Sequence, residues 1–284
     1  MELWFTENHS EFARMSIKVG EHIYGEQSEF QRIDVFDSPE FGRFLTLDGL
    51  MMMTEKDEYA YHEMMVHVPM AVNPSISKIL IIGAGDGGVV REAAKYQGIT
   101  KMDMVEIDEQ VVDVCRKYLP QTASALDDPR LNIYFQDGLR FVRQAKDEYD
   151  LIIVDSTDAE GPGEGLFTRE FYGNCYNALR ENGILVNQLG SPYYEADARA
   201  MLRAYGKLQH VFSDIHAAYQ AHIPTYPSGH WLFGYGAKTM QPTDVSPEWE
   251  KLGIETKYYN TNLHRGSFAL PTYVNKMLDT GKGQ

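Results

Sequence analysis

The segment most informative about the fold is Lys78-Ile-Leu-Ile-Ile-Gly83-Ala-Gly85-Asp86-Gly-Gly88. A short aliphatic run leads directly into glycines that fit the pattern G-x-G-x-x-G, and a helical pattern follows. Such a unit is typical of the first strand, turn and helix of an α/β domain, because glycines let the backbone turn tightly and approach a ligand. The pattern predicts a strand over Lys78–Ile82 and a helix starting near Gly87.

Alternating strand and helix patterns continue after this turn. Strands are predicted at Lys101–Ile107, Leu131–Phe135, Asp150–Asp155 and Gly183–Gln188, with helices starting near Glu109, Gly138, Thr168 and Glu195. Strands rich in Ile and Val, separated by helices, predict an α/β fold whose parallel sheet is covered on both faces. His210–Tyr219 and His230–Ala237 are predicted as closing strands.

Residues 1–56 show a different pattern, that of short strands. These are predicted at Ser16–Tyr24, Glu29–Phe36, Gly42–Leu47 and Leu50–Thr54, with a hairpin signal at Asp48-Gly49. From Asp57 the apolar period becomes helical, and Asn73-Pro74 ends that helix. We therefore predict an N-terminal β domain over 1–56 and a catalytic domain over 57–284.

The composition excludes several classes of partner. The 41 acidic and 26 basic side chains give a net charge of −15, which disfavours nucleic-acid binding. No apolar run approaches the ~18 residues of a membrane span, so we expect no membrane association. Two distant cysteines, Cys115 and Cys175, provide no disulfide framework and favour a cytoplasmic protein. The acidic surplus fits a solvated surface or a field that attracts a cationic substrate, and charge alone does not decide between them.

The ligand of the glycine turn is either a dinucleotide or an adenosyl sulfonium. Glu106 ends the next strand, 18 residues beyond Gly88, where an acid can accept the ribose hydroxyls. Asp86 lies inside the turn, where it would repel a diphosphate and attract a cationic amine. Asp137, which precedes Gly138 after the third strand of this sheet, can receive the adenine amino group or cap the following helix. Asp86 and Asp137 favour the sulfonium.

Two further carboxylates, Asp155 and Asp158, follow the fourth strand of the predicted parallel sheet. They are expected at the edge where ligands bind, and two carboxylates after an apolar run are costly unless they meet cations. The glycine-rich stretch 161–165, which contains Pro162, predicts a mobile lid. His62 and His67 are five residues apart and do not share a helix face, so no metal site is predicted.

The chain resembles the spermidine synthases, a family of polyamine aminopropyltransferases, over nearly its whole length. The matching segments are Trp4–Glu7, Ser28–Gln31, Leu47–Gly49, Asp57–Met64, Gly83–Gly88, Glu106–Asp108, Asp137-Gly138, Asp155–Asp158, Ile223–Gly229, Lys257–Asn260 and Phe268–Pro271. The resemblance implies a Rossmann-like sheet of the class I methyltransferase type with a small N-terminal β domain, through which the family forms homodimers or homotetramers.

The resemblance also implies a reaction and a set of site residues. An aminopropyl group would pass from decarboxylated S-adenosylmethionine, a co-substrate, to putrescine, giving spermidine and 5′-methylthioadenosine without a cofactor or metal. Asp155 would be catalytic. The nucleoside and donor would meet Gln31, Gly83, Gly85, Asp86, Glu106, Asp137, Gly138, Asp155 and Pro162. The diamine would meet Tyr61, His62, Asp86, Asp155, Asp158, Gln188 and Tyr226.

The chemistry of this displacement suits those residues. The attacking amine has a pKa near 10.4 and an ordinary aspartate one near 3.9, so we expect Asp155 to orient the nitrogen and accept its proton late. Asp158 would hold the distal ammonium group. Asp86 would attract the cationic amine of the decarboxylated donor and repel a donor that retains its carboxylate.

Three alternatives remain at this point. They are a methyltransferase acting on a small amine, a nicotinamide dehydrogenase, which Asp86 disfavours, and a noncatalytic nucleoside-binding oligomer. The length of the acceptor, whether putrescine, cadaverine, agmatine or spermidine, also remains open.

Overall fold

The computed structural model describes residues 2–156 and 161–280, without the side chains of Pro162 and Glu164. Strands β1–β6 are Leu3–Asn8, Arg14–Val19, Glu21–Gln27, Arg32–Ser38, Gly42–Leu47 and Leu50–Thr54. Strands β7–β13 are Lys78–Gly83, Lys101–Glu106, Leu131–Phe135, Tyr149–Asp155, Leu179–Gly190, Ile215–His222 and His230–Ala237. Helices α1–α9 are Glu58–Val72, Gly88–Ala94, Glu109–Tyr118, Gly138–Val142, Arg169–Ala178, Glu195–Val211, Pro247–Lys251, Thr261–Ser267 and Thr272–Thr280. Two 3-10 helices cover Ala123–Ala125 and Gly161–Phe167.

The first six strands form two antiparallel sheets, the hairpin β1-β2 and the four-stranded sheet β3-β4-β5-β6. The prediction of one strand over Ser16–Tyr24 was wrong, because the chain divides at Gly20 into β2 and β3. Strand β1 was not predicted. Most of its side chains are exposed, so it lacks the apolar alternation that indicates a strand.

The large sheet has seven strands in the order β12-β13-β11-β10-β7-β8-β9. The predicted α/β fold is confirmed. Each predicted helix start lies within one residue of the first residue of the corresponding helix. The sheet is mixed rather than wholly parallel, because β13 runs antiparallel to both of its neighbours. The strand order reverses at β7, which lies between β10 and β8. In open α/β sheets, ligands bind at the carboxyl ends of the strands beside such a reversal.

The predicted strand over His210–Tyr219 was wrong in its first residues. Helix α6 continues to Val211, and β12 begins at Ile215. The β-branched and aromatic residues of this segment suggest a strand, but Leu208 and Phe212 are buried against the large sheet as part of the α6 side of the core. Tertiary packing therefore extends the helix beyond its local preference.

Helix α1 lies between the N-terminal strands and the large sheet, and 14 of its residues are buried. Its start is fixed by Asp57, whose carboxylate accepts hydrogen bonds from the Thr225 amide at 2.9 Å and from the Thr54 hydroxyl at 2.7 Å. The division into domains at residue 56 stays a prediction. Within the described residues, no helix is long and apolar enough to cross a membrane.

Candidate active site

The glycine turn after β7 rests directly on the end of β10. Gly83 has a φ of 85°, and a Cβ added there would lie 2.0 Å from the Asp155 carbonyl oxygen. The Ala84 amide donates to the same oxygen at 3.0 Å. A residue with a side chain would push the two loops apart, so Gly83 is what brings the predicted nucleoside turn beside Asp155.

Glu106 lies at the end of β8 on the other side of this turn. Burial, followed by the charges of Asp108 and Asp155, raises the pKa of Glu106 to about 7, although two backbone N–H groups oppose the shift. Gly85 leaves room for its carboxylate, because a Cβ there would lie 3.0 Å from Glu106 Oε2. Gln31 reaches over from the N-terminal strands and donates to Asp108 at 3.1 Å. The structure thus brings Gln31, Gly85 and Glu106 into one region, as a nucleoside site requires.

Asp155 is partly buried and accepts a 2.6 Å hydrogen bond from the Tyr61 hydroxyl. Burial and the negative charge of Asp86 raise the pKa of Asp155 to about 6, while His62 and the Tyr61 hydrogen bond act in the opposite direction. Burial and Asp155 in turn hold the pKa of Tyr61 well above its usual value, so Tyr61 remains a donor. The carboxylate is therefore a better proton acceptor near neutrality than the ordinary aspartate assumed from the sequence.

His62 bridges two carboxylates. Its Nδ1 lies 2.6 Å from Glu58 Oε2, and its Nε2 lies 3.3 Å from Asp86 Oδ2. Burial lowers the pKa of His62, but the two carboxylates outweigh burial and raise it well above the usual value. This direction favours the imidazolium form, which is hydrogen-bonded to Glu58 through Nδ1 and ion-paired with Asp86 through Nε2. The Gly88 amide donates to Asp86 Oδ1 at 2.6 Å, which fixes the other oxygen of that carboxylate.

Sequence reasoning missed two residues of this cluster, Glu58 and Arg91. The Arg91 guanidinium donates to both Glu58 oxygens at 2.8 Å. Burial raises the pKa of Glu58, but His62 and Arg91 together lower it to about 2. The available signal was spacing, because Glu58 lies four residues before His62 and so on the same face of α1.

Two further predicted diamine residues, Tyr226 and Gln188, have defined contacts in this region, and Phe233 also lies beside Tyr61. The rings of Tyr226 and Phe233 have their centroids 6.2 Å and 5.2 Å from that of Tyr61. Tyr226 donates to the Met52 carbonyl at 2.5 Å, and this hydrogen bond connects the aromatic side chains to the N-terminal strands. Gln188, on β11, donates to the Ser156 carbonyl at 3.2 Å, directly after Asp155 in the chain.

Asp137 caps helix α4, accepting from the Leu139 amide at 2.8 Å. Gly138 lies against β7, where a Cβ would be 2.5 Å from Ile82 Cγ2. The capping role is thus present, and a role in adenine binding stays a prediction. Asp158 and the Pro162 side chain lie outside the described residues, and so does part of the predicted lid.

His67 belongs to a different cluster from His62. Its two nitrogens lie 2.7 Å from the Tyr96 hydroxyl and 2.9 Å from Glu92 Oε2. Over residues 2–156 and 161–280, no group of three or more His, Cys, Asp or Glu side chains is placed to hold a metal ion. The predicted absence of a metal or cofactor stays a prediction.

Comparison with known proteins agrees with this architecture. The family model of the spermine/spermidine synthase domain matches residues 58–246, and that of the spermidine synthase tetramerisation domain matches residues 3–55. A polyamine aminopropyltransferase of Clostridium perfringens is 64% identical over 280 residues, covering 98% of this chain and 99% of its own length. One from Alkaliphilus oremlandii is 63% identical over 281 residues, covering 98% of this chain and 99% of its own length.

Solved structures show the same fold. A spermidine synthase in complex with the transition-state analogue AdoDATO has a TM-score of 0.94 and 42% identity, covering 98% of this chain and 95% of its own. The spermidine synthase of Thermotoga maritima has a TM-score of 0.93 at the same identity, covering 98% of this chain and 94% of its own.

The fold and the carboxylates beside the glycine turn define an enzyme of methyltransferase-like fold with a small N-terminal β domain. The chain belongs to the spermine/spermidine synthase family. Its activity is polyamine aminopropyl transfer. The matched tetramerisation domain supports the expected oligomer.

Proposed function

We propose that this enzyme transfers the aminopropyl group of decarboxylated S-adenosylmethionine to putrescine, with Asp155 as the proton acceptor. The observation that carries the proposal is the Asp155 carboxylate, hydrogen-bonded by Tyr61 at 2.6 Å, beside Asp86 and directly under the glycine turn. The proposal is supported by a protein of the same fold, a spermidine synthase in complex with the transition-state analogue AdoDATO.

The reaction is a displacement at carbon. The amine lone pair forms the new C–N bond, the C–S bond breaks, and its electron pair returns to sulfur, so the sulfonium leaves as neutral methylthioadenosine. The nitrogen becomes more acidic as the bond forms, and its proton passes to Asp155. Alignment of nitrogen, carbon and sulfur supplies much of the rate, because effective molarities of about 10⁵–10⁸ M are available to well-oriented reactants.

Eight other predicted residues take roles in this scheme. Glu106 and Gln31 lie on the nucleoside side, with Gly83 and Gly85 giving the backbone access to it. Asp86, fixed by the Gly88 amide and His62, faces the donor amine. On the acceptor side are Tyr61, Gln188 and Tyr226. The enzyme acts as a homodimer or homotetramer on these two small molecules.

Incubation with the decarboxylated donor and putrescine tests the reaction directly. Formation of spermidine and methylthioadenosine is expected, and methylated amine from S-adenosylmethionine would support a methyltransferase instead. Parallel assays with cadaverine, agmatine and spermidine as acceptors determine chain-length selectivity. Predominant spermine formation would contradict putrescine as the acceptor.

The role of Asp155 is tested by Asp155→Asn, which keeps the shape of the side chain and removes its proton acceptor. We expect turnover to fall by about 10²–10⁴-fold, the usual contribution of a general base. Turnover within threefold of the parent enzyme would refute the assignment. Circular dichroism of both proteins controls for folding.

A further inference from the structure

Negatively and positively charged side chains alternate in a row that begins at Asp86 in the active site. Asp86 contacts His62 at 3.3 Å, His62 contacts Glu58 at 2.6 Å, and Glu58 contacts Arg91 at 2.8 Å. These four residues, termed here the charge row, carry negative and positive groups in turn. Glu58 and His62 are only 6% and 2% exposed.

We propose that Glu58 and Arg91 are positioning residues for aminopropyl transfer, in which Arg91 fixes the Glu58 carboxylate and Glu58 fixes the orientation and charge of His62. The proposal rests on the proposed function, since it assigns these residues to the same site. Neither contacts the reacting groups directly, so each acts through His62 on Asp86 and Asp155.

The geometry leaves His62 one orientation. Arg91 holds both oxygens of Glu58 in a bidentate contact, and planar guanidinium groups favour this arrangement. The ring is confined on its other side by Gly88, where a Cβ would lie 2.2–2.5 Å from three ring atoms. With Nδ1 bound to Glu58, only Nε2 points towards Asp86.

Stability alone is a weak reason for this arrangement. Buried ion pairs lose as much through desolvation as they gain by attraction, and apolar residues of similar volume often replace them without loss. Glu63, on the same helix, is a carboxylate with a structural role. It accepts three backbone N–H groups from Lys257, Tyr258 and Tyr259 at 2.7–2.8 Å and fixes the C-terminal segment.

The consequence lies in the two aspartates of the site. Among the residues that the structure describes, the titratable groups that face His62 are Glu58 from α1, Asp86 from the glycine turn and Asp155 from β10, with the Tyr61 ring edge-on. An imidazolium keeps Asp86 ionised and opposes the repulsion between Asp86 and Asp155. With a neutral ring, the repulsion between these two carboxylates would favour protonation of one of them.

The test uses Glu58→Gln, with Glu63→Gln as the matched control on the same helix. The His62 ring is followed by ¹⁵N NMR in the enzyme without substrate, its signals assigned by their loss in His62→Gln. We expect Glu58→Gln to lower the pKa of His62 by about 1–3 units, the usual effect of an opposite charge at this distance. The acid limb of kcat/KM should also move to higher pH. Glu63→Gln should lower the Tm and change neither titration.

An unchanged His62 titration in Glu58→Gln overturns the proposal. If that variant does not fold, Arg91→Lys replaces it, because lysine keeps the charge but cannot hold both Glu58 oxygens in the fork. A lower His62 pKa in Arg91→Lys supports the proposal, and an unchanged one refutes it. Absence of spermidine formation by the parent enzyme would refute the proposed function, while the substrate-free NMR titration still decides the role of Glu58.

Discussion

Replacing Tyr61 by phenylalanine should raise the pKa of Asp155 and thereby make the enzyme more sensitive to acid. The Tyr61 hydroxyl donates to Asp155 Oδ1 at 2.6 Å, and this hydrogen bond favours the ionised carboxylate. Phenylalanine keeps the ring contacts with Tyr226 and Phe233 and removes only the donor. Asp155 then retains burial and the charge of Asp86, both of which favour the protonated form.

The size of the effect follows from the hydrogen bond. A bond to a charged group contributes about 1.5–3 kcal/mol, and one pKa unit corresponds to about 1.4 kcal/mol. The pKa of Asp155, which is about 6 in the parent enzyme, should therefore rise by roughly one to two units. At pH 7 the ionised fraction falls from about nine tenths to between about a half and a tenth. The ratio of kcat/KM in the variant to that in the parent should accordingly be about two- to tenfold lower at pH 7 than at high pH.

The assay is the ratio of kcat/KM between Tyr61→Phe and the parent enzyme from pH 5 to pH 9. This ratio cancels the titration of the amine acceptor and that of Glu106, which both enzymes share. A matched control is Tyr149→Phe, because Tyr149 donates to the buried Asp103 carboxylate at 2.7 Å from the opposite end of β10. The control should change stability and leave the ratio flat. A flat ratio for Tyr61→Phe would show that this hydrogen bond does not control Asp155.

Two further substitutions test the glycine turn. Asp86→Asn should weaken binding of the decarboxylated donor by more than about tenfold while affecting methylthioadenosine less, because only the donor carries the aminopropyl amine. Calorimetry with both ligands measures the difference, and equal losses would mean that Asp86 only shapes the turn. Gly88→Ala should lower kcat/KM by at least about tenfold, because the added Cβ lies 2.2 Å from a His62 ring atom and displaces the ring. Gly98→Ala is its control, with nothing within 4 Å of the added atom, and equal activities of the two variants would refute the argument.

Local patterns in the sequence were sufficient to place most elements of the large sheet. The apolar run before Gly83 and the helical period after it are patterns among residues close in sequence. They can therefore be recognised without knowledge of the fold. The errors occur where packing overrides that signal. Strand β1 exposes most of its side chains and is stabilised by pairing with β2, and α6 continues to Val211 because its apolar face is buried on the sheet.

The direction of β13 could not be read from its residues. Its apolar pattern fits a parallel or an antiparallel strand equally well, and only its pairing with β11 and β12 fixes the direction. The contact between the aromatic side chains of the site could not be predicted from the sequence either. Tyr61 and Tyr226 are far apart in sequence, and their rings meet because Asp57 binds the Thr225 segment to the start of α1.

The carboxylates at the ends of parallel strands could be identified from the residue pattern alone, since strands of one direction bring their carboxyl ends to one edge. That rule was enough to select Asp155, Glu106 and the glycine turn as one region. The charge states of these groups, in contrast, depend on contacts that form only in the folded chain. The pKa of Asp155 depends on its burial and on Asp86, and the charge of His62 depends on Glu58 and Asp86. Electrostatic interactions act through space and weaken with distance, so they are set by which residues the fold brings within a few ångströms of one another.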